Sequence, residues 1–380
     1  MKWETRKLEA VADFCLGKML DQKKNRGELL PYLANVNVRW GEFDLDDLRE
    51  MRFEQHEHER YGLKYGDIVM CEGGEPGRCA IWKDQFPGMM IQKALHRIRP
   101  REGLRPEFLF YFFLYKGRTG HLSPLFTGST IKHLPREKLA LVEVPVPPPV
   151  IQDNIVNILS AYDDLIENNR RRIQLLEQAA RLLYKEWFVH LRFPGHEHTR
   201  IVDGVPVGWN KYLLGDIATI RKGKNITQDT VDVGDIPVVA GGVRPAYYNN
   251  VANALGPVIT ISASGANAGY VALYLRDVWA SDCSFISRAD NPEIWFLFLL
   301  MKSRQKEITG MQVGAAQPHV YPKHVASLSL IYPPTPLRNL FNENVDGYFC
   351  LISYLEKQIE NLTKARDLLL PKLMNGEVEV

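Results

Sequence analysis

The sequence predicts an α+β fold: two similar globular domains separated by a long antiparallel two-helix coiled coil, with an internal pseudo-twofold repeat. Three observations carry this. First, Leu159, Tyr162, Ile166, Asn169, Ile173, Leu176, Ala180, Leu183 and Trp187 advance by alternating steps of three and four, the spacing of a heptad seam on a helix. Second, the seam recurs near the C-terminus as Val345, Tyr348, Ile352, Leu355, Ile359, Leu362 and Leu369, with Arg366 on the same ladder; subtracting 186 maps 345 onto 159 and 369 onto 183. Third, what precedes each seam also repeats. Trp3, Leu8, Ala12, Gly17, Lys18 and Pro31 return 206 positions later as Trp209, Leu214, Ala218, Gly223, Lys224 and Pro237. Further on the offset is 186: Pro106-Glu107-Phe108 against Pro292-Glu293-Ile294, Gly128 against Gly314, His133 against His319. A repeat found at this scale decides the architecture before any local assignment.

The chain divides accordingly into a first domain (1–146), a first spacer helix (147–190), a linker (191–207), a second domain (208–332) and a second spacer helix (333–380). The fall in offset gives the first half about twenty extra residues between Pro31 and Pro106, and the charged stretch Asp44 to Arg60 is the expected place. Its His56 and His58 have no counterpart in the second half, so a solvated insertion is preferred to a metal site. In each domain an apolar run introduced by turn residues predicts a buried strand, Gly66 to Cys71 and Gly256 to Ile261. Glycine loops follow at Gly73 to Gly77 and Ser264 to Gly269, then strands at Cys79 to Trp82 and Tyr270 to Tyr274. Phe108 to Tyr115 and Ile294 to Met301 are apolar on all sides, the pattern of buried helices. Proline runs, Val144 to Pro149 and Tyr332 to Pro336, stop the last strand and suit the first turn of the next helix. The second helix is expected to end at Leu370-Pro371, with Asn375-Gly376 terminating it. Asn169 either fixes register in the seam or faces solvent at a loose layer.

The chain has 380 residues, 45% hydrophobic and 24% charged, which fits two to three globular domains. It lacks an apolar run of membrane-spanning length and a signal-peptide core, so no membrane association is expected. Five scattered cysteines with no Cys-x-x-Cys fit a reducing, cytoplasmic setting. Net charge is only +2. Residues 1–150 hold 24 basic against 21 acidic groups and 208–336 hold 11 against 9, whereas 151–207 hold 7 against 8 and 337–380 hold 5 against 7. The domains are mildly basic and the helices mildly acidic, which permits nucleic-acid binding without demanding it. No phosphate-binding Gly-x-x-x-x-Gly-Lys-[Ser/Thr] loop, no Gly-x-Gly-x-x-Gly and no Asn-Pro-Pro-aromatic tetrapeptide of adenine methyltransferases occurs, so a binding subunit is favoured over an enzyme. Two alternatives are a coiled-coil scaffold for proteins alone, and a methyltransferase or nuclease lacking recognisable motifs.

Several short motifs stand in the same order in both halves. They are Gly208-Trp209 with Leu214-Gly215-Asp216-Ile217, Gly128-Ser129-Thr130-Ile131-Lys132-His133, and Gly314-Ala315-Ala316-Gln317-Pro318-His319. To these are added the proline entry to each helix, the exit Trp187-Phe188 to Phe193-Pro194-Gly195, and the tail Arg366 to Leu373. Together they resemble the specificity subunit of type I restriction-modification enzymes over nearly the whole chain. The resemblance implies that each domain is a target recognition domain reading one part of a split double-stranded DNA sequence, with the helices as spacer. It implies no catalytic site and no cofactor in this chain. Two methyltransferase subunits would dock on it, bringing S-adenosylmethionine, and restriction subunits would join. Leu159 to Trp187 would span about 43 Å of helix, or about 13 base pairs.

Phosphates are held by Lys, Arg, hydroxyls or free N–H groups, and base edges by Arg, Lys, Asn or Gln. On that chemistry the DNA-contacting candidates in the first domain are Lys18, Lys23, Lys24, Arg26, Arg78, Ser129, Thr130 and Lys132. In the second they are Arg221, Lys222, Lys224, Asn225 and Asn267. Ala315-Ala316 stands where the first domain has Ser129-Thr130, so hydroxyl contacts there cannot be symmetric. His133 and His319 are expected to be structural, bonding the start of a helix or the loop that carries it.

Overall fold

The structure is a computed structural model, and it describes residues 3–21, 25–314 and 317–380. The chain forms two compact units. Unit 1 comprises Met1–Ile166 with Glu360–Val380, and unit 2 comprises Glu167–Ile359. Each therefore holds one globular domain and a stretch of both long helices, Pro149–Tyr184 and Thr335–Met374.

The duplication is legible strand by strand. In unit 1 a four-stranded antiparallel sheet runs in the order Ala12–Leu16, Leu95–Pro100, Ile68–Cys71, Cys79–Ile81. A three-stranded sheet runs Arg49–Phe53, Glu28–Leu33, Met90–Ile91, antiparallel then parallel. Unit 2 repeats both: Arg221–Lys222, Cys283–Ser287, Val258–Ser262, Val271–Tyr274, and then Tyr247–Asn249, Ile236–Val239, Trp279–Ala280. In each, a pair formed by the first and last strands closes the domain, Thr5–Lys7 with Glu143–Pro145 and Asn210–Leu213 with Ser329–Tyr332. The central strands Ile68–Cys71 and Val258–Ser262 are buried on both faces, which is why they read as apolar runs rather than alternating ones. The helices Pro106–Arg118 and Ile294–Ser303 lie in the two cores as their all-round apolarity requires.

The extra length of the first half is not one insertion at Asp44–Arg60. That stretch contains the strand Arg49–Phe53, whose counterpart is Tyr247–Asn249. Most of the additional residues fall on either side of it, where 34–48 replace 240–246 and 54–67 replace 250–257. A strand already committed to a sheet cannot absorb residues without shifting its register, so length accumulates in the connections.

Both long helices start in the same way. Gln152 is buried, and its amide donates to the carbonyls of Pro147 and Gly103 while accepting from the Arg105 N–H. At the equivalent place Arg338, 7% exposed, donates to the Pro333 carbonyl and to Glu293 at 2.7 Å. Each side chain thus ties the proline run to the helix that it introduces. The seam residues predicted from sequence are all buried or half-buried. In unit 1, Ile155, Val156 and Leu159 share a core with Leu370, Leu373 and Met374. In unit 2, Asn169 donates to Gln358 at 3.2 Å and Tyr184 packs on Phe341. Numbers rise on one helix as they fall on the other, so the pairing within each unit is antiparallel. Asn169 is 6% exposed, so of its two readings the buried cross-helix one holds. The second helix does not stop at Leu370-Pro371. It passes through Pro371 to Met374, held by the burial of Leu373 and Met374, and closes where Gly376 adopts φ +66.

One layer breaks the repeat. In unit 1, Arg366, 7% exposed, bonds Asp163, which also accepts from the Tyr111 hydroxyl at 2.8 Å. The equivalent positions in unit 2 are Ala180, Phe349 and Leu297, all buried and apolar, with Phe349 stacked on Trp295 at 4.3 Å.

Candidate nucleic-acid interface

At one end of each four-stranded sheet the connecting loops are laced together by main-chain hydrogen bonds. In unit 1, Gly17 donates to Leu95, Gln92 to Leu33, Glu72 to Ala94 and Leu134 to Glu72. In unit 2 the same bonds run from Gly223 to Cys283, Ser281 to Val239, Ala263 to Asp282 and Val320 to Ala263. The repeated glycine at 17 and 223 now has a reason. A Cβ there would lie 2.5 Å from the Gln92 carbonyl oxygen or 2.2 Å from that of Ser281, too close for any other residue.

A hairpin projects from this end of each domain. In unit 1, Thr127 and His133 exchange two main-chain bonds of 2.8 Å, and Gly128 turns the chain at φ +92. Residues 128–132 between them are exposed. His133 bridges to Gly73, and its Nδ1–H donates to Glu72 at 3.1 Å. Beneath it His96 is fully buried and its Nε2–H donates to the Leu134 carbonyl at 2.8 Å. Burial holds the His96 pKa below the ordinary imidazole range, so this ring stays neutral. In unit 2, Val313 and His319 exchange two bonds of 2.9 Å, Gly314 turns at φ +98, and His319 bridges to Ser264. His319 Nδ1–H donates to the Gln317 carbonyl at 2.8 Å. Both histidines are therefore structural hooks, as the sequence suggested.

The proposed contact residues divide. Ser129, Thr130 and Lys132 sit on the exposed hairpin. Lys222, Lys224, Asn225 and Asn267 are exposed on or next to the loop end of the second domain. Arg221 is exposed on its short strand but shares its charge with Asp290 at 2.8 Å. Arg26 is exposed. Lys23 and Lys24, like Ala315 and Ala316, lie outside the described residues.

Two assignments are corrected. Lys18 is 4% exposed; its ammonium bonds Glu57 and the Arg52 carbonyl and lies over the Phe53 ring, so it closes the core beneath the loop. Arg78 reaches inward to Glu75 and to the Asn35 carbonyl, both at 2.7 Å, and pins the glycine loop. The partner of Lys18 is remote in sequence, whereas Arg78 turns to the carboxylate of its own loop and to the Asn35 carbonyl.

Arg244, not among the sequence candidates, is exposed in the loop 240–246. There, a Cβ on Gly241 would lie 2.8 Å from the Ser264 carbonyl oxygen. The Gly241-Gly242 pair just before it was the available signal. The donors of Glu54, His56 and Glu57 lie within 4.8 Å of one another, but the Glu57 carboxylate is already held by Lys18.

The family model for the type I restriction modification DNA specificity domain matches residues 1–178 and 206–339, once on each half of the duplication. The chain belongs to this family. It is 26% identical to the MjaIX type I restriction enzyme specificity subunit of Methanocaldococcus jannaschii, over all of this chain and 94% of that one. It is 22% identical to the HindI specificity subunit of Haemophilus influenzae, over 83% of this chain and 87% of the relative. Among solved structures, the type I S subunit of M. genitalium matches with a TM-score of 0.56 at 18% identity, covering 98% of this chain and 96% of that one, which shows a shared fold. As a type I specificity chain it is a DNA-recognition subunit, and its two recognition domains are the two globular domains described above. No helix among the described residues is long and apolar enough to cross a membrane.

Proposed function

We propose that each domain reads one part of a split double-stranded DNA target with its laced loop end. The observation that carries this reading is that the two loop ends share their lacing bonds and glycine turns and differ in the side chains that they show. The first exposes Met19, Leu20, Val36 and Ile131 among its polar groups, and the second exposes Lys224, Asn225, Arg244, Asn267 and Gln317. A common scaffold with divergent tips suits two different half-sites.

The chain supplies specificity and its partners supply chemistry. Two methyltransferase subunits dock on it, bind S-adenosylmethionine and methylate adenine, and restriction subunits join that core in the cytoplasm. The long helices leave apolar side chains outside their seams: Leu175, Leu182 and Val189 at intervals of seven, and on the other helix Leu340 and Tyr354. Such a stripe fits a partner helix better than water.

The test is to produce the chain with its methyltransferase partner and map methylated adenines across a genome. A motif of two short fixed blocks around an unspecified gap is expected. Replacing 208–332 by the matching domain of another specificity chain then changes one block and leaves the other. A single continuous motif, or methyl transfer by this chain alone, overturns the reading.

A further inference from the structure

In the two projecting hairpins Ile131 and Gln317 correspond at an offset of 186, each two residues before the histidine that closes the hairpin. In each, the glycine with positive φ folds under the carbonyl of that residue. A Cβ on Gly128 would lie 2.2 Å from the Ile131 oxygen, and one on Gly314 would lie 2.7 Å from the Gln317 oxygen. The two positions are therefore held alike by the glycine turn and the histidine pairing, and they differ in the side chain. Both side chains are turned out to solvent; Ile131 keeps 63% of its surface exposed. A β-branched aliphatic held in water on a rigid turn gains nothing from the fold. Its neighbours Ser129, Thr130 and Lys132 are the groups that grip phosphates.

We propose that this position is the base reader of each hairpin, with Gln317 bonding an adenine edge and Ile131 packing on a thymine methyl. This rests on the reading of the two loop ends as DNA-recognition surfaces. The chemistry follows from the major groove. A glutamine amide matches the N7 acceptor and N6 donor of adenine, whereas an aliphatic group meets only the thymine methyl. One fold with two chemistries at one point gives two half-sites that need not resemble each other. The asymmetry noted in sequence at Ser129-Thr130 and Ala315-Ala316 then belongs to anchoring rather than to reading.

The experiment uses the chain assembled with its methyltransferase partner and maps methylated adenines for the parent, Ile131→Gln and Gln317→Ile. Both residues are exposed, so the variants should melt within about 1 °C of the parent, which thermal unfolding checks. Ile131→Gln is expected to alter one position in one block of the motif and leave the other block untouched, and Gln317→Ile the reverse. Each variant should lose about tenfold in methylation rate at the parental site, the size of one base contact. If the parent shows a two-block motif and both variants keep it with unchanged rates, the base-reader assignment is wrong while two-domain recognition stands. If the parent shows no two-block motif, the underlying reading fails first.

Discussion

The layer that breaks the repeat gives a test drawn from the protein's own second half. In unit 1, Arg366 lies 7% exposed between Asp163 and Asp367, and Asp163 also takes the Tyr111 hydroxyl. Asp163→Asn leaves a buried guanidinium without its main counter-charge. Removing one partner of a buried pair costs about 3–5 kcal/mol. The Asp163 side chain keeps 22% of its surface in solvent and Asp367 remains, so the loss is reduced to about 2–4 kcal/mol. For a unit of this size that is a drop in Tm of about 5–15 °C. The triple change Tyr111→Leu, Asp163→Phe, Arg366→Ala installs what unit 2 carries at Leu297, Phe349 and Ala180. An apolar layer of this kind needs no desolvated charge, so the triple variant is expected within about 1 kcal/mol of the parent. Thermal and urea unfolding of the full chain, followed by circular dichroism, measures both. The reasoning collapses if Asp163→Asn melts within about 1 °C of the parent, or if the triple variant loses as much as the single one.

Three further outcomes are expected. His96 is neutral in the folded chain because burial lowers its pKa, whereas the unfolded ring takes up a proton near pH 6.5. Stability is thus complete above that pH and declines as pH falls through it; His96→Gln should flatten this slope in unfolding measured from pH 8 to 5. Lys132→Ala and Lys224→Ala, both on exposed loops, should weaken binding alike for all sequences. Each should reduce the slope of log affinity against log salt by about 0.9 in the assembled complex, and an unchanged slope removes that lysine from the interface. Lys18→Met, by contrast, should leave this slope unchanged and lower the melting temperature. Finally, each long helix is continuous and belongs in part to both units. Inserting one heptad into both adds about 10 Å of helix, and the gap in the methylated motif is expected to lengthen by about three base pairs.

How far the sequence could be read depended on whether a residue's partner was near it or implied by the repeat. The seams, the buried helices and the strands Ile68–Cys71 and Val258–Ser262 were legible because period and apolarity are local properties. The hooks at His133 and His319 were legible because the repeat preserved them inside a recurring glycine turn. Lys18 was not: its partner Glu57 comes from one of the connections by which the first half exceeds the second, so the repeat gave no warning. Lys224 occupies the same place in the second half and is exposed, so two lysines alike in sequence have opposite fates. Arg78 was misread for a different reason. A basic residue in a glycine loop is equally suited to a phosphate or to the carbonyls of its own turn, and here the Asn35 carbonyl and Glu75 lie closer. Exposure, which the sequence does not carry, separates these cases.

The duplication also indicates where such a chain is free to change. Positions that hold the loop end together are matched in kind across the halves: the glycines at 17 and 223, the turns at Gly128 and Gly314, the histidine hooks and the proline-tied helix starts. Each answers a demand of the main chain, a close approach or a positive φ, that few residues meet. Positions that face outward from the same backbone are not matched, as Ile131 and Gln317 show. The helix layer at Arg366 and Ala180 is a third kind, buried in both units yet chemically opposite. A core tolerates a satisfied ionic cluster or a packed aromatic one, but not a half of each. Mutating one domain's tips should therefore alter what is read without disturbing the fold, whereas exchanging single residues between the two helix layers should damage the unit that receives them.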